Sequence, residues 1–266
     1  MHHTTLVVPC YNEEERLRVG AFRMFAAAHP SIRFVMVNDG SRDRTAEILA
    51  DLAAARPRQF AVLSLAVNSG KAEAVRQGLV HALESGADAV GFIDADLAVP
   101  LDEVSRMIDV LDRRPDVSVV VGSRLSLAGH AIRRRRIRRL LGRCFAAVAA
   151  SLIGLPLRDT QCGLKLFRSD GTTRQLFAKP FRSRWIFDVE ILARLIVAQG
   201  REAAIAQVYE MPVEEWSEVA GSKLKSGDFV KAVGELLGIY ATYIRGGGDG
   251  LPGGQVRENT DVRRAA

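Results

Sequence analysis

"AVGFIDADLAVP", Ala89–Pro100, is an apolar run that breaks at two carboxylates, Asp94 and Asp96, and then resumes. A short, unbroken run of this kind reads as a strand buried on both faces, as strands of a parallel sheet are. Residues two apart on an extended segment point the same way, so Asp94 and Asp96 are expected to present their carboxylates to one place as the strand ends. Two hard oxygen donors suit Mg2+ or Mn2+, which completes its shell with water and a substrate's phosphates. Taken alone, the pair reads equally well as a solvated cap of the helix that follows.

Working outward, four more β-branched runs occur at "TTLVVPCYN", "RFVMVNDG", "FAVLSLAVN" and "VSVVVGSR", with helical patterns between them. In one such helix, "DRTAEILADLAAA", Thr45, Ile48, Leu49 and Leu52 recur at helical spacing. Strands alternating with helices imply right-handed crossovers and an α/β fold, with a mainly parallel central sheet and helices on both faces. Ligands of such sheets bind at the carboxyl ends of the strands. Four of the five runs end there in polar residues: Tyr11-Asn12-Glu13, Asn38-Asp39-Gly40-Ser41, Asn68-Ser69-Gly70-Lys71 and Asp94-Ala95-Asp96. No G-x-G-x-x-G follows the first strand and no Walker A loop is present, so neither a dinucleotide fold nor a P-loop enzyme is indicated.

Beyond Arg124 the rhythm changes. The sequence predicts an arginine-rich helix over about 133–153, a loop at "GLPLRDTQCG", a strand "LKLFR", a helix near Phe187–Ala198, a strand near Ile205–Tyr209 and a last helix around Phe229–Ile244. Residues 1–225 read as one domain, 226–245 as a C-terminal amphipathic helix and 246–266, rich in Gly and polar residues, as a disordered tail.

A composition of 48% hydrophobic and 26% charged residues is that of an ordinary globular protein. The net charge of +6 is local: residues 133–143 hold seven arginines and no acid, and +6 less those seven leaves −1 elsewhere. Cys10, Cys144 and Cys162 form no C-x-x-C pair, which argues against a disulfide framework or a zinc site and fits a reducing cytosol. The N-terminus reaches acidic residues too early for a signal peptide. The longest greasy run, "CFAAVAASLIGLPL", has 14 residues, short of the roughly 20 that span a bilayer.

In this order and spacing, "VVPCYNEEERL", "VNDGSRDRT", "NSGKAEAVRQG", "DADLAVP" and "VVGSR" resemble the nucleotide-sugar domain of family-2 glycosyltransferases with the GT-A fold. "RDTQCGLKLF", "RWIFDVEIL" and "PVEEWSEVAGSKL" look like the dolichyl-phosphate β-glucosyltransferase branch, relatives of dolichyl-phosphate mannose synthase. The resemblance covers about residues 4–225. It implies that Pro9, Tyr11, Glu13 and Lys71 shape the nucleotide-sugar pocket, and that Asp39 accepts a hydrogen bond from the base imide. It also implies that Asp94 sits near ribose and metal, and that Asp96 binds metal and diphosphate. For Tyr11 and Glu13 the plainer alternative is an exposed loop running into a helix N-terminus. The sequence departs from many relatives at Asn38, Ala72, Glu73 and Ala98. Ala98 stands where mannosyl relatives place a Gln, which favours the glucosyl branch.

On a helical wheel Ile137, Leu140, Leu141, Cys144, Val148 and Leu152 share one face, opposite Arg135, Arg136, Arg139 and Arg143. That is the profile of an interfacial helix lying on an anionic membrane surface. The alternatives are a helix docked on its own domain with its arginines in water, or a nucleic-acid patch. The latter lacks nearby aromatics for stacking and any groove-reading motif. The expected reaction is transfer of glucose from UDP-glucose to a polyprenyl monophosphate, with inversion, at the cytoplasmic face of a membrane. A soluble hydroxyl acceptor is the alternative, and an idle nucleotide-sugar or nucleic-acid binder a further one. Acceptor phosphate would meet Arg124 with one or more of Arg134, Arg135 and Arg138, and Gln161, Cys162 and Lys223 would lie near acceptor or diphosphate. Asp188 is the candidate base for a hydroxyl acceptor; its plainer role is at a helix N-terminus.

Overall fold

The computed structural model describes residues 3–125, 131–133, 154–217 and 228–246. The five anticipated strands form as β1 (Thr4–Cys10), β2 (Ile32–Asp39), β3 (Phe60–Leu65), β4 (Ala89–Ile93) and β5 (Val119–Ser123). They are joined by α1 (Val19–Ala28), α2 (Thr45–Ala55), α3 (Lys71–Glu84) and α4 (Asp102–Arg113). Further along come β6 (Ala131–Arg133), β7 (Leu164–Arg168), α5 (Gly171–Ala178), α6 (Phe187–Gln199), α7 (Arg201–Gln207), β8 (Val208–Pro212), β9 (Glu215–Ser217) and α8 (Asp228–Ile239). A π-helix, Tyr240–Arg245, extends α8.

Seven strands make one sheet in the order β3-β2-β1-β4-β7-β5-β8, and β6 pairs with β9 in a separate two-stranded sheet. Within the large sheet only β7 runs antiparallel, between β4 and β5. The strands are apolar on both faces because both are covered. Val7, Val37 and Phe92 pack with α3, α5, α6 and α8, whereas Leu6, Val8, Met36 and Ile93 pack with α1, α2 and α4. Aromatic rings tighten both layers: Phe34 stacks on Phe60 at 5.1 Å, and Phe92 meets Phe187 at 5.6 Å. Each such buried ring contributes roughly 1.5–3 kcal/mol. Among the described residues no helix is long and apolar enough to cross a membrane.

Three expectations change. Ile205 lies in α7 and the strand begins at Val208; the Glu-Ala-Ala run Glu202–Ala204 favours helix strongly enough to hold Ile205 in it. The last helix is α only to Ile239 and π beyond. Arg133, placed in a helix by its arginine neighbours, belongs to β6, where main-chain pairing with β9 outweighs local propensity. The rest of the arginine segment, 134–153, lies outside the described residues, as do Lys223 and the tail from 247.

The C-terminal helices are bound to the domain through a polar cluster that is buried and fully engaged. Arg194, 1% exposed, donates to the carbonyls of Leu176, Lys179 and Pro180 and to Glu190. The Tyr243 hydroxyl donates to Glu190 at 2.9 Å. Burial first, and then the Glu190 carboxylate, push the Tyr243 phenol above its ordinary value. The folded chain therefore keeps this phenol neutral where the unfolded chain ionises it, near about pH 10. Stability that is complete below that pH should be lost as pH rises through the folded value. Tyr243→Phe should flatten this alkaline fall when thermal unfolding is followed between about pH 9 and about pH 11.

Candidate active site

Polar residues ending β1, β2, β3 and β4 assemble at one edge of the sheet, as expected. The loop after β1 is laced to the loop after β2: Arg42 N–H donates to Asn12 Oδ1, Asn12 N–H to Ser41 Oγ, and Glu13 N–H to Thr45 Oγ1. Glu13 is buried and paired with Arg16. Asp39, also buried, accepts N–H groups from Ser69 at 2.7 Å and Gly70 at 2.9 Å. Burial raises its pKa, with those two donors opposing. Asp39 thereby holds the loop that starts α3, and the first helical residue, Lys71, pairs with Asp94.

Asp94 and Asp96 do converge, but by a different route. The strand ends at Ile93, and Asp94–Leu97 form a tight turn closed by Leu97 N–H on Asp94 O at 3.2 Å. Leu97 sits in the left-handed region at φ 50°, a costly conformation for a branched residue that persists where surrounding contacts over-determine it. Burial first, and then Asp94, raise the Asp96 pKa, the mark of two carboxylates sharing a site. Lys71 faces opposing influences: desolvation works against its charge, while Asp94, Asp188 and Asp96 outweigh it and raise its pKa. The structure thus brings Asp188, nearly a hundred residues on, into the field of the same cluster.

β7 supplies the other wall. Gly163 O accepts Asp94 N–H at 3.1 Å, and a Cβ on Gly163 would stand 2.2 Å from Asp94 Oδ2. Only glycine lets the two segments approach so closely. Lys165, fully buried, pairs with Asp188 and donates to Cys162 O at 2.9 Å. Gly163, Lys165 and the Leu97 turn were not singled out from sequence; the signal available was "CGLK" read against the antiparallel β7. Cys162 is buried, and burial pushes its thiol up to about 11, so it carries no thiolate nucleophile near neutral pH.

Arg124 is locked rather than free. Its Nε and Nη2 grip Asp159 at 2.6 and 2.7 Å, and its own N–H donates to the same carboxylate. Burial works against its charge, but Asp159 holds the guanidinium's pKa well above the usual value. Asp159 also accepts the Gln161 N–H, and its own N–H donates to Glu210. The pair orders the loop that leads to Gly163. The small β6–β9 sheet is tied to the Asp94–Asp96 turn, since Ser217 N–H donates to Ala98 O at 3.0 Å. Residues 134–153 and 218–227, which hold Arg134, Arg135, Arg138 and Lys223, follow β6 and β9 in the chain and lie outside the described residues. Pro9 and Tyr11 remain on the β1 side of the same edge, partly exposed.

A divalent cation suits this arrangement. Asp94 and Asp188 are each paired with an ammonium group, Lys71 and Lys165, whereas Asp96 is bonded by the Ala98 N–H. Among the described residues no group of three or more His, Cys, Asp or Glu gathers to cage an ion. Two carboxylates that leave the remaining positions to water and phosphate are what Mg2+ and Mn2+ commonly use.

Residues 5–174 match the family model for glycosyl transferase family 2. The chain is 35% identical to the dolichyl-phosphate beta-glucosyltransferase ALG5C of Trichomonas vaginalis, over 92% of this chain and 72% of that protein. It is 30% identical to the human dolichyl-phosphate beta-glucosyltransferase, over 91% and 76%. Among solved structures it resembles the glucosyl-3-phosphoglycerate synthase of Mycobacterium tuberculosis, with a TM-score of 0.62 at 18% identity over 90% of this chain and 80% of that one. That enzyme has also been crystallised with Mn2+, UDP-glucose and phosphoglyceric acid. The fold is GT-A.

Because Asp159 is what neutralises a largely buried Arg124, Asp159→Ala should destabilise the chain by about 3 kcal/mol. Asp159→Asn, which keeps hydrogen-bond acceptance, should cost less. Urea unfolding of both variants measures the difference, and equal stabilities would show that the pair contributes packing only.

Proposed function

The chain belongs to glycosyl transferase family 2, and from that premise we propose that it moves glucose from UDP-glucose to the phosphate of a dolichyl or other polyprenyl monophosphate, at the cytoplasmic surface of a membrane. The observation that carries this reading is the shared origin of the donor and acceptor sides. Ala98, directly after the carboxylate turn Asp94–Leu97, accepts a main-chain bond from Ser217 of β9, and β9 pairs with β6, which contains Arg133, the first arginine of the basic segment.

A polyprenyl monophosphate, with a second pKa of about 6, is largely dianionic at neutral pH. Its oxygen needs no strong base to become a nucleophile; it needs cations to bring it toward a negatively charged donor. Arg134, Arg135, Arg138 and Lys223 are assigned that task, with Arg124 ordering the adjoining loop through Asp159. Phosphate oxygen attacks the anomeric carbon, the bond from that carbon to the diphosphate oxygen breaks, and UDP leaves with the electron pair. A single displacement inverts the anomeric centre, giving a β-linked lipid phosphosugar. Asp94 and Asp96 would hold Mg2+ or Mn2+, which when bound supplies positive charge against the departing diphosphate. Lys71 and Lys165 keep Asp94 and Asp188 oriented. Pro9, Tyr11, Glu13 and Asp39 are assigned to the nucleoside side of the pocket.

Asp96→Ala should abolish glucose transfer to a short polyprenyl phosphate in the presence of Mn2+ while leaving thermal unfolding nearly unchanged. Full activity in that variant removes the metal assignment. At low salt the protein should float with vesicles containing anionic lipid. Replacing Arg135, Arg136, Arg139 and Arg143 together by Gln should abolish flotation; indifference of the wild type to such vesicles would sink the lipid-surface reading.

A further inference from the structure

Between α5 and α6 the chain makes a turn, Arg182–Ile186, that is unusually well fixed for a surface loop. Glu190 accepts the N–H groups of Arg182 and Ser183, each at 2.9 Å at its nearer oxygen. Ser183 Oγ accepts the Ile186 N–H at 2.8 Å and donates to Glu235 of α8, which also accepts the Trp185 N–H. Glu190 is itself held by Arg194 and Tyr243. Nearly every donor of the turn is thus satisfied by groups anchored in the core or in the C-terminal helix.

The residue at its apex, Arg184, is exposed, and among the described residues its side chain has no hydrogen bond or ion pair. It lies across the Asn68–Lys71 loop: a Cβ on Gly70, which sits at φ 92°, would stand 3.2 Å from both Nε and Nη2. Asp39 feels its charge, but both carboxylate oxygens of Asp39 already accept the Ser69 and Gly70 N–H groups. A guanidinium carried on a well-fixed turn over bare glycine backbone, with no carboxylate bonded to it among the described residues, suits an anionic ligand entering between Asp39 and Asp94. Its planar fork matches phosphate geometry.

We infer that Arg184 binds the diphosphate of the nucleotide donor, closing over it from the α5–α6 turn. This rests on the donor reading above. The side of the sheet favours donor over acceptor phosphate. Gly70 and Asp39 belong to the β2–β3 half of the large sheet, whereas Arg133 lies in the separate β6–β9 sheet, which bonds Ala98 after the carboxylate turn. Arg184 is a binding residue, and Ser183, Glu190 and Glu235 are its positioning residues.

Calorimetric titration of the full chain with UDP and with uridine, both with Mn2+, tests the inference on wild type, Arg184→Gln and Arg184→Lys. Arg184→Gln should weaken UDP binding by about tenfold or more, the effect of losing a charge-assisted phosphate contact. Uridine binding should be unchanged, Arg184→Lys should recover part of the loss, and thermal unfolding should be unaltered in both variants. Equal UDP affinity in Arg184→Gln overturns the inference, including the case where the KM for polyprenyl phosphate rises instead. A matching loss for uridine also overturns it, by moving the contact to the base or ribose. Failure of the wild type to bind UDP would instead remove the donor reading on which the inference stands.

Discussion

Negative charge gathered where a buried strand runs out is the constraint around which this molecule is arranged. Asp94, Asp96 and Asp188 all act on the Lys71 ammonium, and two lysines, Lys71 and the fully buried Lys165, pair with Asp94 and Asp188. Burial first, and then the neighbouring Asp94 carboxylate, raise the pKa of Asp96.

Much of the remaining architecture holds this cluster together. The antiparallel β7, set between β4 and β5, brings Gly163 against Asp94 and Lys165 against Asp188 from a single five-residue strand and its preceding turn. Arg124 and Asp159 fix the loop that delivers Gly163. Asp39 fixes the loop that delivers Lys71. Each of these charged groups is satisfied by neighbours that themselves have partners, which is how buried polar networks become rigid instead of costly.

The C-terminal helices take part in the same scheme from a distance. Glu235 and Tyr243 reach the turn before α6 directly or through Glu190, and α6 begins with Phe187 and Asp188. A segment that looks like an appendage in the linear chain therefore sets the position of one wall of the site. On another flank β6, which ends at Arg133, pairs with β9, and β9 bonds Ala98.

The parallel half of the sheet, its two-sided cover and the polar rim from Tyr11 to Asp96 were legible in the sequence, because continuous apolar strands and their abrupt polar ends are local properties of the chain. So was the concentration of arginine between Arg133 and Arg143. Ile205 and Arg133 were misplaced because strand pairing and helix propensity compete there, and only the finished sheet decides between them. Strand alternation was expected to align Asp94 and Asp96, but the strand ends at Ile93 and the two lie in a turn with Leu97 at positive φ. What only the tertiary structure decided was partnership across long separations: Asp188 with Lys165, Gly163 beneath Asp94, Asp159 around Arg124, Arg184 over Gly70. Charge and size of each residue are written in the chain, but the neighbour that satisfies a charge, or leaves it for a ligand, exists only once distant strands and helices have packed.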